Sequence, residues 1–332
     1  MRAIVMTAPG GPEVLQPKDV EEPGITGERE VRVRLKAAGV NPVDIKLRAR
    51  GTYFPDRMPA ILGCDGAGVV EETGPGVRRL RVGDEVYFCN GGIGHPAGNY
   101  AELAVVDERF AARKPATLDF EQAAAAPLVL ITAWESLHDR GQVGPGSRVL
   151  IHAGAGGVGH VAVQLAKLAG ARVCTTVGSH EKAALAQDLG ADRCILYKEH
   201  DFVDAVLDWT GGRGVDLALD TVGGESFART ARAVRFYGDV VTLLQPGVDT
   251  DWKQARLRNL RIALELMLSP MYFGLDDARQ HQASILEQCA ELFDNQRLRI
   301  HVQQTFPLEQ AARAHVLLER GSLTGKLVLT VD

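Results

Sequence analysis

The chain has 332 residues, enough for two domains with separate cores, and its 45% hydrophobic and 24% charged residues are ordinary for a globular protein. A net charge of −5 leaves no broad electrostatic footprint for nucleic acid or a membrane surface, so neither is expected as a partner. No charged n-region followed by an apolar h-region opens the sequence, and the longest apolar run, Ala123 to Trp134, is too short to span a bilayer. Cys64, Cys89, Cys174, Cys194 and Cys289 stand singly without a CxxC, which suits a reducing, cytoplasmic setting and no disulfide framework.

In chain order, the first 122 residues read as short strands between glycine-rich turns. Val31-Arg-Val-Arg-Leu-Lys-Ala alternates apolar and charged residues, as a half-buried strand does. Val69-Val70, Glu85-Val-Tyr-Phe and Ala101-Glu-Leu-Ala-Val-Val follow, with Gly63, Gly66, Gly68, Gly74, Gly76 and Gly83 between strands. A β-rich, barrel-like domain is expected. From residue 123 the rhythm becomes helix and strand. Strands are expected at Arg148–Ala153, Arg172–Val177, Arg193–Tyr197, Val215–Asp220, Asp239–Leu244 and Leu260–Leu266, mostly continuous apolar runs of the kind buried parallel strands need. Helices are expected at 160–169, 181–189, 202–209 and 225–234, which makes a doubly wound α/β sheet. After residue 275 come a long helix to about Leu298, a strand, a helix over 308–320 and a last strand, Lys326–Thr330, expected to return to the first domain. The domain expectation is therefore 1–122 with 275–332, and 123–274.

Val149-Leu-Ile-His-Ala runs into Gly154-Ala-Gly156-Gly157-Val158-Gly159, and a helix with Val161, Leu165 and Leu168 on one face follows. At this spacing Gly154 makes the tight turn, Gly156 lets backbone approach a pyrophosphate, and Gly159 lets the helix pack on the strand. The helix start, from Gly157 and Val158, adds free N–H donors and partial positive charge. This strand–loop–helix unit reads as a dinucleotide site.

The next strand bears on which dinucleotide. An NAD site wants Asp or Glu at its end, to accept from the ribose 2′-hydroxyl. Here the strand ends Thr175-Thr176-Val177, followed by Gly178-Ser179-His180-Glu181-Lys182. Lys182 falls in the first turn of a helix, where the macrodipole disfavours a cation. A bound 2′-phosphate would remove that conflict at about 1.5–3 kcal/mol, roughly 10- to 100-fold in preference for NADPH; the other reading is a solvated lysine. Ligands of such sheets bind beyond the carboxyl ends of the strands, which nominates Tyr197, Thr221, Val222, Leu243 and Leu244 as cofactor contacts or as strand-end packing.

These residues resemble the medium-chain dehydrogenase/reductase superfamily, specifically its zinc-independent quinone oxidoreductase branch, over essentially the whole chain. Gly39-Val-Asn41-Pro-Val-Asp44, Leu62-Gly63-Cys64-Asp65-Gly66-Ala-Gly68, Gly83-Asp84-Glu85-Val86, the Ala153–Gly159 loop and Thr324-Gly325-Lys326-Leu-Val-Leu carry the likeness. The resemblance implies a GroES-like β-barrel catalytic domain, a Rossmann cofactor domain, NADPH bound in the cleft between them, and a homodimer through the edge strand Leu260–Leu266. It places Asn41 at the nicotinamide end and Thr132 on the nicotinamide ribose or phosphate. Ser179, Lys182 and Tyr197 match the 2′-phosphate positions, and Lys326 lies in the segment that closes over the cofactor.

The zinc-dependent cousins bind a catalytic metal through Cys or His from separated segments. The corresponding positions here are Asn41, Cys64 and the stretch Ala124–Pro127, which holds no ligand type; the four-cysteine structural lobe is absent around Cys89. No zinc is expected, and Cys64 reads as a small buried residue. Without a Lewis acid, reduction of an activated acceptor is easier than oxidation of an alcohol. The protein then need only align the reactants and offer hydrogen bonds to a developing oxyanion. Asn41 and Tyr53 are the polar groups expected to do this, with Asp44 orienting the Asn41 turn and His152 and His160 structural or surface residues. Tyr53-Phe54, Pro127-Leu128 and the run Leu264–Phe273 are expected to wall the acceptor, although a dimer interface explains that last run equally well. The leading function is NADPH:quinone oxidoreduction. Reduction of enones, enals or enoyl thioesters is the alternative, and an NADPH-binding module with little catalysis is the reading from another class.

Overall fold

The computed structural model describes residues 1–331. Contacts divide the chain into two units, residues 1–131 with the segment from Leu268 onward, and Thr132–Met267. The borders thus lie at 131/132 and 267/268, where changes of rhythm had suggested 122 and 274. Helix Phe120–Ala125 packs on strands Glu30–Val40 and Asp65–Thr73, which draws it into the first unit despite its helical character.

The spine of the first unit is Glu30–Val40. Its alternation is obeyed: Val31, Val33, Leu35 and Ala37 are buried, while Arg32 and Arg34 turn outward onto Glu71. One edge pairs antiparallel with Asp65–Thr73. The other edge is shared end to end by Leu103–Asp107 and Lys326–Thr330, so the last strand does return to the first domain. Val302–Pro307, Glu85–Cys89 and Ala111–Arg113 complete a seven-stranded sheet, and Leu15–Asp19, Arg2–Met6 and Ala60–Ile61 form a second, of three strands. This is the expected GroES-like β-rich unit.

The second unit is a six-stranded parallel sheet, each strand running as its apolar sequence suggests. Across the sheet the strands are Arg193–Leu196, Arg172–Val177, Arg148–Ile151, Val215–Asp220, Val234–Thr242 and Arg261–Leu264. In the unit's own chain order this is 3-2-1-4-5-6, the doubly wound Rossmann arrangement, with the order reversing between Arg148–Ile151 and Val215–Asp220. Leu150, Cys174, Val206, Ala218 and Val240 form its core. Among the described residues no helix is long and apolar enough to cross a membrane.

Candidate active site: a glycine loop and a buried polar cluster

The glycine loop lies where the sheet order reverses. A Cβ on Gly154 would stand 2.1 Å from Thr175 Oγ1, and one on Gly159 would stand 2.1 Å from the carbonyl oxygen of Ala153. Both positions exclude any side chain. Gly156 is open apart from Ala153 and caps the helix Gly157–Leu168, whose first N–H groups have no carbonyl one turn back. The loop is thus tight where it meets the protein and open where a pyrophosphate would approach. Behind it His152 is buried, pairing through Nδ1 with Thr176 Oγ1 at 3.0 Å and through Nε2 with Thr230 Oγ1 at 2.8 Å. Burial pushes its pKa down to about 4, so it is a neutral structural group. His160, also buried, pairs with the Gly156 carbonyl at 2.9 Å.

At the end of the neighbouring strand, Ser179 caps the helix His180–Asp188. Its Oγ accepts from the Lys182 N–H at 3.3 Å, and its own hydroxyl proton remains available. Tyr197 is half-exposed, and its hydroxyl lies 3.1 Å from where a Cβ on Gly178 would be. Ser179, Lys182 and Tyr197 therefore come together. A residue that sequence reasoning missed joins them. Burial and then the nearby Lys198 ammonium hold Lys182 below the usual lysine range. Two ammonium groups crowding one another are stabilised by an anion. Beside them opens a pocket of about 610 Å³ lined in part by Ala153, Thr176, Tyr197, Val222 and Arg229.

The other strand ends also meet. Asp220, fully buried, accepts from the Val222 and Gly223 N–H groups at 3.1 and 3.0 Å and from Thr242 Oγ1 at 2.9 Å. It fixes the turn carrying Thr221 and Val222 beside Leu243, whose N–H donates to the Asp220 carbonyl at 3.0 Å. Thr132 is nearly buried at the border of the unit, on the helix Pro127–Trp134.

In the first unit Asn41, Asp44, Asp65 and Lys326 converge, all at most 3% exposed. Asn41 precedes the helix Pro42–Arg50, and its N–H donates to Asp44 Oδ2 at 2.8 Å. Its side-chain Nδ2 donates to Asp65 Oδ2 at 2.9 Å, and its Oδ1 accepts from the Lys326 ammonium. Lys326 also donates to the Val40 carbonyl at 3.0 Å and lies 3.7 Å from Asp65 Oδ2. Both ends of the Asn41 amide are thus engaged within the protein, and Lys326 is held inside the barrel. Asp65, Tyr100 and His315 belong to this cluster and had not been singled out. Asp65 stood inside a quoted motif; Tyr100 and His315 carry no local signal.

Tyr53 is 41% exposed and packs on Tyr272 with ring centroids 5.2 Å apart; Phe54 lies 5.6 Å from Tyr272 and 6.3 Å from His95. The run Leu264–Phe273 divides. Leu264 and Leu266 are exposed at the edge of the Rossmann sheet, while Met271 accepts the Gly91 N–H through Sδ at 3.0 Å and Tyr272 joins the aromatic cluster. Burial, then the Cys64 and Tyr272 side chains, raise the Tyr53 phenol.

The donor set around Cys64 does not fit a catalytic zinc. A hydrogen bond to Cys89, then burial, hold the Cys64 thiol well above its ordinary range, so it is no ready thiolate. Asn41 Oδ1 is occupied by an ammonium. Among the described residues no group of three or more His, Cys, Asp or Glu is placed to hold a metal ion.

Residues 27–116 match the family described as Alcohol dehydrogenase GroES-like domain, and residues 189–329 that described as Zinc-binding dehydrogenase. The chain is 34% identical to a quinone oxidoreductase of Pseudomonas aeruginosa, covering 99% of each chain. It is 33% identical to a 2-haloacrylate reductase of a Burkholderia species, covering 98% of each. A solved Escherichia coli quinone oxidoreductase complexed with NADPH superposes with a TM-score of 0.88 at 30% identity, over 100% of both chains. With its GroES-like unit, Rossmann sheet and this similarity along its whole length, the chain belongs to the quinone oxidoreductase branch of the medium-chain dehydrogenase/reductase superfamily and is an oxidoreductase.

Proposed function

We propose that this enzyme transfers a hydride from NADPH to quinones without a metal. The observation that carries the cofactor choice is Lys182, lowered by the Lys198 charge and set in the first turn of the helix that Ser179 caps, with the Tyr197 hydroxyl against Gly178 and no carboxylate ending the Arg172–Val177 strand. That is an anion site, and the 2′-phosphate is the group that distinguishes NADPH from NADH. Gly154, Gly156, Gly157, Val158 and Gly159 would hold the pyrophosphate, with Thr132, Thr221, Val222, Leu243 and Leu244 toward the nicotinamide half. NADPH supplies the hydride when bound.

For the acceptor, Tyr53, Phe54 and Tyr272 offer a half-exposed aromatic surface suited to a flat ring, and the Tyr53 phenol offers a hydrogen bond to an oxyanion. Asn41, buried with both ends of its amide engaged, would act by holding the turn and Lys326 in place. A quinone suits a site without a Lewis acid because its own oxygens take up the negative charge. The likeness to a 2-haloacrylate reductase favours activated alkenes as a second substrate class. The exposed edge of Arg261–Leu264 would pair with a second copy of the chain.

The test is a panel of quinones, enones and simple alcohols with NADPH and with NADH, with and without chelator. Quinone reduction preferring NADPH and indifferent to chelator is expected. Alcohol oxidation, or turnover lost to chelator, would sink the metal-free reading, and enones alone as substrates would move the enzyme to the second class.

A further inference from the structure

Quinone reduction consumes a proton as well as a hydride, and the first unit contains a buried chain of proton-carrying groups that reaches outward. Tyr100 Oη lies 3.1 Å from Asp44 Oδ2 and 3.2 Å from His315 Nε2, and all three side chains are fully buried. The Tyr100 ring is seated on Gly63, where a Cβ would stand 2.4 Å from it and where φ is +96°, so this position must be glycine for the tyrosine to enter. The charge of Arg48 bears on His315, and Arg48 pairs with the partly exposed Glu319 near the end of the helix Ala311–Glu319.

Charge counting shows where a proton resides. Asp44, Asp65 and Lys326 are buried together, two carboxyls to one ammonium, and full ionisation would leave an uncompensated negative charge inside the barrel. Asp65 is the better provided as an anion: burial raises its carboxyl too, but Lys326 beside it, Asn41 donating to Oδ2 and the Leu128 N–H donating to Oδ1 at 2.8 Å oppose that rise. Asp44 is not. Its Oδ2 accepts from the Asn41 N–H and meets Tyr100, but among the described residues its Oδ1 has no partner although buried. An acid proton on Asp44 would balance the cluster.

Resting on the quinone reading of this same site, we propose that Asp44 stores the proton for the reduction and that Tyr100 and His315 reload it. The groups that bear on Asp44 pull both ways, and burial outweighs the rest. Burial raises its carboxyl, the Asn41 N–H lowers it, Asp65 raises it, Tyr100 and Lys326 lower it, and the balance stands at about 7. The Cys64 and Cys89 thiols face the same cluster and are themselves raised, as is Tyr100. Burial, then Arg48, push His315 down to about 3, so it relays as a neutral imidazole.

The step balances. An acceptor that has gained a hydride carries one negative charge on oxygen and takes the phenolic proton of Tyr53. In this relay the Cys64 thiol, which interacts electrostatically with both Tyr53 and Asp44, would return a proton to Tyr53 and receive the one on Asp44. Asp44 regains a proton from the Tyr100 hydroxyl as His315 Nε2–H donates to the Tyr100 oxygen. A proton from solvent, entering on the side of Arg48 and the partly exposed Glu319, is taken up at His315 Nδ1, which is buried and without a partner among the described residues, and return of the ring to its Nε2–H tautomer resets the relay. One proton enters and one leaves, with no redox change outside the acceptor and the nicotinamide. Only Tyr53 meets the acceptor; Asp44, Tyr100 and His315 are positioning and supply residues.

The test compares the parent enzyme with Tyr100→Phe, Asp44→Asn and His315→Gln. Tyr100→Phe is expected to lower kcat about 100-fold, to leave the KM for NADPH near that of the parent, to lower the Tm by the loss of a buried hydrogen bond, and to displace the limb of the kcat–pH profile near 7. Infrared difference spectra, which need no turnover, should show a protonated carboxyl at about pH 6 that is lost by about pH 8, on either side of about 7, and that is absent in Asp44→Asn. The proposal is overturned if no such band titrates, or if Tyr100→Phe and His315→Gln lower kcat by the same factor at every pH, the mark of a purely structural network. If the parent reduces no quinone the quinone reading falls by itself, and the infrared titration still decides whether Asp44 holds a proton.

Discussion

The glycine loop and the polar cluster of the barrel unit are built from opposite materials. The loop is backbone. Its work is done by absent side chains at Gly154, Gly156 and Gly159 and by N–H groups that any helix start leaves free, all within six residues. The cluster is side chain. Asn41, Asp44, Asp65, Tyr100, His315 and Lys326 are gathered from across nearly 290 positions of the chain, and each is buried at a desolvation cost that only its neighbours offset. A backbone site tolerates almost no substitution at its glycines yet carries no charge to manage. A side-chain site is vulnerable wherever one partner of a pair is removed.

That contrast can be broken at its strongest point first. Gly154→Val is expected to weaken NADPH binding by more than about 100-fold, since a side chain would collide with Thr175. Isothermal titration calorimetry should show this with the fold retained by circular dichroism, and near-parental affinity would mean the loop is not the pyrophosphate site. In the cluster, Lys326→Met should cost about 3–5 kcal/mol of stability by denaturant unfolding, because it strands the Asp65 carboxylate; a loss below about 1 kcal/mol would mean that Asp65 is neutral and that the charge count above is wrong. Lys182→Ala should raise the Kd for NADPH about 10- to 100-fold and leave NADH unchanged. Equal change for both cofactors would remove the 2′-phosphate from the argument.

The smallest expected effect probes both regions at once, through His152 behind the loop and His315 in the cluster. Burial lowers His152 to about 4 and His315 to about 3 from an ordinary 6.5. The unfolded chain therefore binds more protons between pH 6.5 and these values. The stability each contributes is complete above 6.5 and is lost as pH falls toward 4 and 3. Asp44 runs the other way: its folded value of about 7 lies above its ordinary 3.8, so its contribution falls as pH rises between them. His152→Gln should flatten the acid side of the Tm–pH curve. An unchanged slope would show that His152 is charged in the folded protein.

The doubly wound sheet, its strands to within a few residues, and the strand–loop–helix unit were legible in the sequence, because apolar runs and glycine spacing are local signals that act through backbone geometry. The return of Lys326–Thr330 to the first unit was legible for the same reason. Ser179, Lys182 and Tyr197 were also legible, as residues at strand ends. What the fold alone decided is which distant side chains share a dielectric. Nothing near Tyr100 or His315 in the chain marks them as neighbours of Asp44, and nothing near Lys198 marks it as a second charge beside Lys182. Asn41 was legible as a polar group after an early strand, but that its amide is engaged at both ends follows from the packing of Lys326 and Asp65 around it. Backbone conformation responds to nearest neighbours along the chain, whereas charge, burial and proton affinity respond to nearest neighbours in space. The strand–loop–helix unit was therefore written in sequence, and the charge state of the buried polar cluster was set only when the first unit folded around it.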